Sequence, residues 1–325
     1  MIFLISKSCD CYFNLALEEN FLREYDDEIF MLWQNDNTIV VGKNQNTLAE
    51  INYDYVKEKG IRVVRRITGG GAVYHDMGNI NFTYIAKHDG EWESDFTRFT
   101  RPVVSALQKL GLHAEISGRN DIVVGDRKIS GNAQTVINGR ILHHGTLLFN
   151  TDVSVLSNAL IPDPEKIRSK GIKSVSSRIA NINELLGREV TTEEIFALIK
   201  CEVENIYSAK EYVLTDEEIK HAEKLADEKY RTWEWNFGYS PKYSFSKKMR
   251  FPVGSINACL EVKDGTITSA KLFGDFFGIS DISDIEKALC GTLHCEENIS
   301  NILMKFKLSD YFGKITAEEL TQVFV

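Results

Sequence analysis

The first 150 residues contain short runs of β-branched and aromatic residues that predict a series of strands. These runs occupy residues 1–7, 29–33, 38–41 and 61–66. Residues 72–74 and 81–85 follow, and we expect these two strands to pair with each other. Gly125-Asp126 and Asn138-Gly139 separate further apolar runs, and two-residue turns of this kind join antiparallel strands.

Amphipathic segments between and after these runs predict helices. Asn14 is a preferred capping residue, so we expect the first helix to begin there and to carry Leu15, Leu17, Phe21 and Leu22. Further helices are expected at residues 53–59, 96–110, 192–206 and 216–229. Because the tight turns make the strands antiparallel, the predicted fold class is α+β, a mostly antiparallel sheet flanked by helices.

The chain has 325 residues, which exceeds the usual size of a single core, so one large and one smaller domain are expected. A segment rich in Ser, Lys, Tyr and Phe at residues 239–248 predicts the boundary. We therefore expect a larger domain at residues 1–245 and a smaller domain at residues 246–325. The second should begin with a hairpin around Asp264-Gly265 and continue with short helices, forming a small α+β module.

The composition narrows the possible functions. Lys plus Arg total 38 against 47 Asp plus Glu, a net charge of −9 with no basic tract, which argues against nucleic acid as a partner. No stretch approaches the roughly 20 apolar residues that a membrane-spanning helix needs, and the first residues lack the features of a signal peptide. We therefore expect a cytoplasmic protein whose six cysteines are buried free thiols.

The first segment with chemical potential is Arg65-Arg66-Ile67-Thr68-Gly69-Gly70-Gly71-Ala72-Val73-Tyr74-His75-Asp76. Successive glycines after a strand allow backbone N–H groups to approach an anionic ligand, and Arg66 offers a planar donor fork for phosphate oxygens. The alternative is a surface turn that merely uses glycine.

The second such segment runs from Arg119 to Gln134 and contains Asn120-Asp121 and Asp126-Arg127-Lys128. If Lys128 begins a strand, its side chain points away from those of its neighbours and can face a cavity. A lysine there could hold a carboxylate and a phosphate together. The alternative is a solvated edge residue, which is the usual role of a lysine just after a turn.

Together these two segments resemble the lipoate-protein ligase family. Further matching motifs are Gly145-Thr146-Leu147-Leu148-Phe149, Lys173-Ser174-Val175-Ser176-Ser177-Arg178, Asn236-Phe237-Gly238 and Arg250-Phe251-Pro252-Val253-Gly254. The resemblance spans nearly the whole chain, including the small C-terminal domain typical of the bacterial ligases. It implies a catalytic domain with the fold of the biotin and lipoate ligases. Ser176 departs from the pattern, because a basic residue is expected there.

The resemblance implies ATP-dependent activation of lipoate to lipoyl-AMP and its transfer to a lysine of an acceptor protein. Lys128 would be catalytic and would bridge the lipoate carboxyl group and the phosphate. The other residues implied to contact ATP, lipoyl-AMP or lipoate are Arg66, Gly70, Gly71, Ala72, Val73, Tyr74, His75, Asn120, Asp121 and Thr146. Asp121 would also contact Mg²⁺, which normally accompanies nucleotide phosphates.

The same resemblance implies ATP and Mg²⁺ as co-substrates, lipoate as substrate and no tightly bound prosthetic group. The acceptors would be lipoyl domains of 2-oxoacid dehydrogenases and the glycine-cleavage H protein, and we expect a monomer. Lipoate and octanoate are both compatible with the motifs, because an aliphatic tunnel gains only about 0.8 kcal/mol per buried methylene.

Three other functions fit parts of the pattern. An octanoyltransferase or amidotransferase of the same fold would need a thiolate beside the active lysine, but no cysteine lies between Cys11 and Cys201. A biotin ligase would have a different arginine-glycine loop and no Asn-Asp strand. A non-catalytic lipoate-binding regulator would keep the pocket without activity, although the expected positions carry chemically competent residues.

Overall fold

The computed structural model describes residues 1–88, 96–118, 120–161, 178–238, 245–263 and 265–325. Its larger part contains β1 (Ile2–Ile5), β2 (Ile29–Trp33), β3 (Thr38–Val41), β4 (Arg62–Arg65), β5 (Val73–His75), β6 (Asn79–Lys87), β7 (Ala114–Ser117), β8 (Asp121–Val124), β9 (Arg127–Ile137), β10 (Arg140–Leu148) and β11 (Lys210–Glu211). Eight strands form one sheet in the order β11-β1-β2-β6-β10-β9-β8-β7, and three form a small sheet in the order β4-β3-β5. In the large sheet β1 is parallel to β2 and β11, and the other neighbours are antiparallel. The α+β prediction is confirmed.

Helices cover both faces of the large sheet. They are α1 (Cys11–Glu24), α2 (Thr47–Glu50), α3 (Tyr53–Glu58), α4 (Phe96–Lys109), α5 (Val153–Ala159), α6 (Ile182–Leu186), α7 (Thr192–Tyr207), α8 (Asp216–Leu225), a π-helix (Ala226–Tyr230) and α9 (Trp233–Asn236). Alternate residues of a strand point to opposite faces. Phe82 and Tyr84 of β6 therefore pack with α4 and α7, whereas Ile85 packs with α1, α8 and the π-helix.

Two local predictions are wrong. Asn14 does not begin the first helix, which is capped by the side chain of Asp10. Asn14 lies inside that helix, fully buried, and its amide donates to the carbonyls of Ser8 and Gln34. The strands at β5 and β6 do not pair with each other, because β5 pairs with β3 in the small sheet and β6 lies between β2 and β10.

The C-terminal module consists of a three-stranded antiparallel sheet and four helices among the described residues. It contains β12 (Phe245–Phe251), β13 (Gly254–Lys263), β14 (Thr266–Gly274), α10 (Ser283–Leu289), α11 (Glu296–Leu303), α12 (Ser309–Phe312) and α13 (Ala317–Thr321). The predicted hairpin is confirmed as β13 and β14. Residues 239–244 of the predicted boundary lie outside the described residues, so the division at residue 245 stays a prediction. None of the helices described here is long and apolar enough to cross a bilayer.

A buried ion pair joins α1 to the π-helix. The Glu19 side chain is 3% exposed and accepts hydrogen bonds from Lys229 Nζ and Tyr230 OH, each at 2.6 Å. Burial by itself would raise the pKa of Glu19, but the Lys229 ammonium and the hydrogen bonds outweigh it, and the pKa is lowered. Burial also lowers the pKa of Lys229, an effect that Glu19 only partly offsets. A neutral side chain at position 19 would therefore leave a partly buried ammonium without its counter-charge.

We expect Glu19→Gln to destabilise the protein at pH 7 by about 1–3 kcal/mol, less than a fully buried pair would cost because Lys229 keeps some solvent contact. The folded pKa of Glu19 lies below its unfolded value, so this stabilisation is present above the unfolded pKa and is lost as the pH falls through the folded pKa. Urea unfolding should show that the gap in unfolding free energy between wild type and variant narrows below about pH 4. The exposed Glu58→Gln change is the matched control, and a gap independent of pH would contradict the assignment.

Candidate active site

The glycine loop, residues Gly69–Gly71, lies between β4 and β5. Gly70 has φ +93°, a conformation that is readily accessible only to glycine. The guanidinium of Arg66 is buried beneath the loop, and its Nη2 donates to the carbonyls of Gly69 at 2.6 Å and Gly71 at 2.9 Å. Burial lowers the pKa of Arg66 to about 10, which leaves it charged at neutral pH. Arg66 therefore shapes the loop by binding its carbonyl groups.

A chain of buried polar side chains connects Arg66 to helix α1. We call Arg66, Thr68, His144 and Glu18 the loop network. Thr68 Oγ1 lies 2.9 Å from Arg66 Nε and 2.8 Å from His144 Nε2. His144 Nδ1 lies 3.1 Å from the carboxylate of Glu18, a residue that is 1% exposed. Thr68 Oγ1 accepts from Arg66 Nε, so its own proton can be donated to His144 Nε2. Sequence reasoning missed Glu18 and His144, although a glutamate among the apolar residues of α1 was a usable signal.

A second group of side chains surrounds Lys128 at the start of β9. The Lys128 ammonium lies 2.7 Å from Asp121 Oδ1, and Arg178 Nη2 lies 3.1 Å from Asp121 Oδ2. The 178–180 segment binds both backbone groups of Lys128. The Lys128 N–H donates to the Arg178 carbonyl, and the Lys128 carbonyl accepts from the Ala180 N–H. Lys128 is therefore not a solvated edge residue.

Strand β10 brings the two groups onto one face of the large sheet. His144 and Thr146 are two residues apart on this strand, so they point to the same face about 7 Å from each other. Thr146 Oγ1 accepts a hydrogen bond from the Gly131 N–H at 3.2 Å, and Gly131 lies next to the Lys128 side chain. The loop network and the lysine group are therefore neighbours. Asn120 contributes by donating from Nδ2 to the Asn132 carbonyl at 2.6 Å, which ties β8 to β9.

Two neighbouring side chains after the glycine loop, Tyr74 and His75, have different surroundings. His75 is buried, its Nδ1 lies 3.2 Å from the Asn35 amide nitrogen, and its Nε2 has no partner among the described residues. Burial, reinforced by Arg66 and His144, lowers the pKa of His75 to about 3, so its ring is neutral at pH 7. The ring of Tyr74 instead packs in the small core beneath β3.

The C-terminal module packs directly on the glycine loop. A Cβ atom added to Gly69 would lie 2.4 Å from the carbonyl oxygen of Phe276, and one added to Gly70 would lie 3.2 Å from the Phe277 ring. The Gly274 N–H donates across the same contact to the Asn44 carbonyl at 2.7 Å. Gly69 is thus a glycine because another backbone approaches it. Sequence reasoning placed no residue of this module near the site.

Magnesium would have limited support from the protein at this site. Among the described residues, there is no cluster of three or more histidine, cysteine, aspartate or glutamate side chains suited to a metal. Asp121 is a single carboxylate, and both of its oxygens already face cations. These side chains alone would not hold a metal ion, so a magnesium ion here would depend on the phosphate oxygens of a nucleotide. The Lys173–Ser177 part of the predicted motif, with Ser176, lies outside the described residues.

Comparisons with known proteins agree over most of the chain. Residues 10–204 match the lipoyl protein ligase A/B catalytic domain, and residues 240–324 match the bacterial lipoate protein ligase C-terminus. Lipoate–protein ligase 1 of Staphylococcus aureus is 47% identical over 312 residues, which cover 95% of each chain.

Solved structures of related proteins also resemble this fold. The crystal structure of P. falciparum LipL1 in complex with lipoate has a TM-score of 0.83 at 28% identity, covering 99% of this chain and 98% of that one. A lipoate-protein ligase A bound with ATP has a TM-score of 0.63 at 30% identity, covering 73% of this chain and 98% of that one.

We expect Gly69→Ala to loosen the C-terminal module, because the new methyl group would meet the rigid Phe276 carbonyl. Amide hydrogen exchange at Gly274, the last residue of β14, should accelerate at least about tenfold, while exchange in the rest of β13 and β14 stays slow. Gly60→Ala is the control, because Gly60 has open space around it, so a methyl group there strains only the local backbone at its positive φ and touches nothing. Unchanged exchange at Gly274 in the Gly69 variant would show that the contact does not hold the module.

Proposed function

Because this chain belongs to the lipoate-protein ligase family, we propose that it joins lipoate to a lysine of an acceptor protein in two ATP-driven steps. In the first step a carboxylate oxygen of lipoate attacks the α-phosphorus of ATP, and the bond to pyrophosphate breaks. In the second the ε-amine of the acceptor lysine attacks the acyl carbon, an amide bond forms, AMP leaves and the amine loses a proton.

The observation that carries this proposal is the fixed ammonium of Lys128. Asp121 takes one of its three donors, at 2.7 Å, and among the described residues no other side chain pairs with this ammonium, which leaves two donors for a ligand. Negative charge develops on the phosphate in the first step and on the carbonyl oxygen in the second. A preorganised cation between these two groups stabilises both transition states. The same ammonium can therefore serve activation and transfer.

We propose that the glycine loop binds the phosphate and acyl portions of lipoyl-AMP. Gly70, Gly71, Ala72, Val73 and Tyr74 would act mainly through their backbone, since the Tyr74 ring is committed to the core. Arg66 would contribute through the loop carbonyls that it binds.

The remaining proposed contacts are His75, Asn120 and Thr146. The neutral His75 ring accepts a hydrogen bond at Nδ1 from Asn35, so its proton lies on Nε2. From there it could donate a hydrogen bond to a ligand oxygen. Asn120 and Thr146 are proposed to contact the ligand. They also hydrogen-bond to the backbone of β9, the strand that carries Lys128 and Gly131, and so help to position it.

ATP and lipoate are the proposed substrates, supported by the related structures that contain each of them. Magnesium would arrive with ATP, and Asp121 is its proposed protein contact because carboxylate oxygens are preferred ligands for this ion. Binding there would have to redistribute the ion pairs that Asp121 forms with Lys128 and Arg178. We propose lipoyl domains of 2-oxoacid dehydrogenases and the glycine-cleavage H protein as acceptors, and a cytoplasmic, monomeric enzyme.

Lipoate-dependent release of pyrophosphate from ATP tests the proposed function directly. The purified protein should release pyrophosphate only when lipoate is present, and adding a lipoyl domain should then yield AMP and a modified lysine. Binding of lipoate and ATP without any pyrophosphate would identify a non-catalytic lipoate-binding protein instead.

We expect Lys128→Ala to slow both half-reactions by about 10²- to 10³-fold, because removal of one preorganised donor costs roughly 3 to 4 kcal/mol. Lys128→Arg should not rescue activity, since the larger planar fork places its charge differently. The measurements are pyrophosphate release from lipoate and ATP, and transfer from preformed lipoyl-AMP to a lipoyl domain.

Lys200→Ala provides the matched control, because Lys200 is a surface lysine paired with Glu211. It should leave both rates within about twofold of wild type. If a folded Lys128→Ala variant ran both steps within about threefold, an effect below roughly 0.7 kcal/mol, the assignment of Lys128 would be wrong.

We expect a variant lacking all six cysteines to retain ligation, because the adenylate route needs no thiol. Burial raises the pKa of the Cys11 thiol to about 11, which disfavours the thiolate form. Cys9, Cys201, Cys290 and Cys295 are exposed, so the expectation that all the thiols are buried is wrong. The measurement is transfer of lipoate with ATP by the cysteine-free protein. Loss of turnover in a folded variant would favour a thioester transferase.

A further inference from the structure

Strand β9 is irregular at Ile129, the residue after Lys128. This irregularity changes which side chains share a face. Ile122 of β8 pairs with Ser130, but the next residue, Val123, pairs with Lys128, so Ile129 has no opposite partner. An extra residue of this kind is a β-bulge, and it shifts the alternation of side chains along the strand. Lys128 and Gly131, three positions apart, consequently lie on the same face.

The close approach of Lys128 explains why residue 131 is a glycine. Gly131 does not have a positive φ, so its backbone conformation is open to other residues. A Cβ atom added there would lie 2.9 Å from Lys128 Nζ and 3.2 Å from Lys128 Cε. The Lys128 side chain therefore lies over the bare backbone of Gly131.

Two neighbours thus define the position of the ammonium, and each of them is itself held in place. Asp121 holds it from one side at 2.7 Å, and Arg178 holds the other oxygen of that carboxylate at 3.1 Å. Gly131 lies beneath it, and the Gly131 N–H is itself fixed by Thr146 at 3.2 Å. The bulge supplies the direction of the side chain, and the missing Cβ supplies the space.

We propose that Gly131 is a positioning residue that sets where the Lys128 ammonium meets the substrate. This inference rests on the proposed function of Lys128. A methyl group at position 131 displaces the ammonium, because the flexible end of the lysine moves more easily than the strand. A misplacement of about 1 Å at the reacting groups can cost about 10²-fold in rate, which sets the upper limit of the expected effect.

The test is a double-mutant cycle on adenylate formation, measured as lipoate-dependent exchange of pyrophosphate into ATP. Gly131→Ala should slow the reaction by about 10- to 100-fold with little change in the melting temperature. In a Lys128→Ala background the same substitution should have no effect beyond about twofold, because its target is gone. Gly131→Ser, which carries the same Cβ, should reproduce the loss in the wild-type background.

Each other result has a distinct meaning. A normal rate for Gly131→Ala beside a slow Lys128→Ala overturns the positioning role and leaves the proposed function of Lys128 intact. An equal loss from Gly131→Ala in both backgrounds also overturns it, because the strand itself would then be distorted. Failure of Gly131→Ala to fold contradicts the inference too, since only the end of a flexible side chain should have to move. A normal rate for Lys128→Ala removes the proposed function and the inference together.

Discussion

The arrangement of the site depends on hydrogen bonds that link two buried groups, Arg66 and Glu18. The guanidinium of Arg66 and the carboxylate of Glu18 are both withdrawn from solvent, and isolated buried charges are costly. His144 and Thr68 connect them through hydrogen bonds, so neither charge is isolated. Helix α1, strand β10 and the segment after β4 must therefore come together for any of these groups to be satisfied. The glycine loop acquires its shape from that assembly.

The loop is also where the two parts of the chain meet, and this couples them mechanically. Arg66 binds the Gly69 carbonyl of the loop. Gly69 also faces the Phe276 carbonyl, which leaves no room for a methyl group. A ligand that displaces the loop backbone must therefore shift Phe276 or lose this contact. Because close-packed groups transmit strain, a movement of the loop would reach the C-terminal module through Phe276.

Local signals predicted local structure well. The Asn138-Gly139 hairpin is confirmed, with positive φ at both residues, and the helix at residues 53–59 does end before Gly60. Asn14 shows where such signals fail, because a residue able to cap a helix can equally bind backbone groups across the fold. The partner of β5 could not be predicted either, since strand pairing depends on distant residues.

Lys128 shows the same limit within the site. A lysine shortly after a turn usually projects into solvent, so its spacing from the turn favours that role. What excludes that role is the 178–180 segment, which binds both backbone groups of Lys128 from 50 residues away, and the bulge that directs its side chain over Gly131. The glycine in the middle of a strand was the usable signal, because a strand gains nothing from glycine unless something approaches its backbone closely. In this fold what approaches is the ammonium of Lys128 itself.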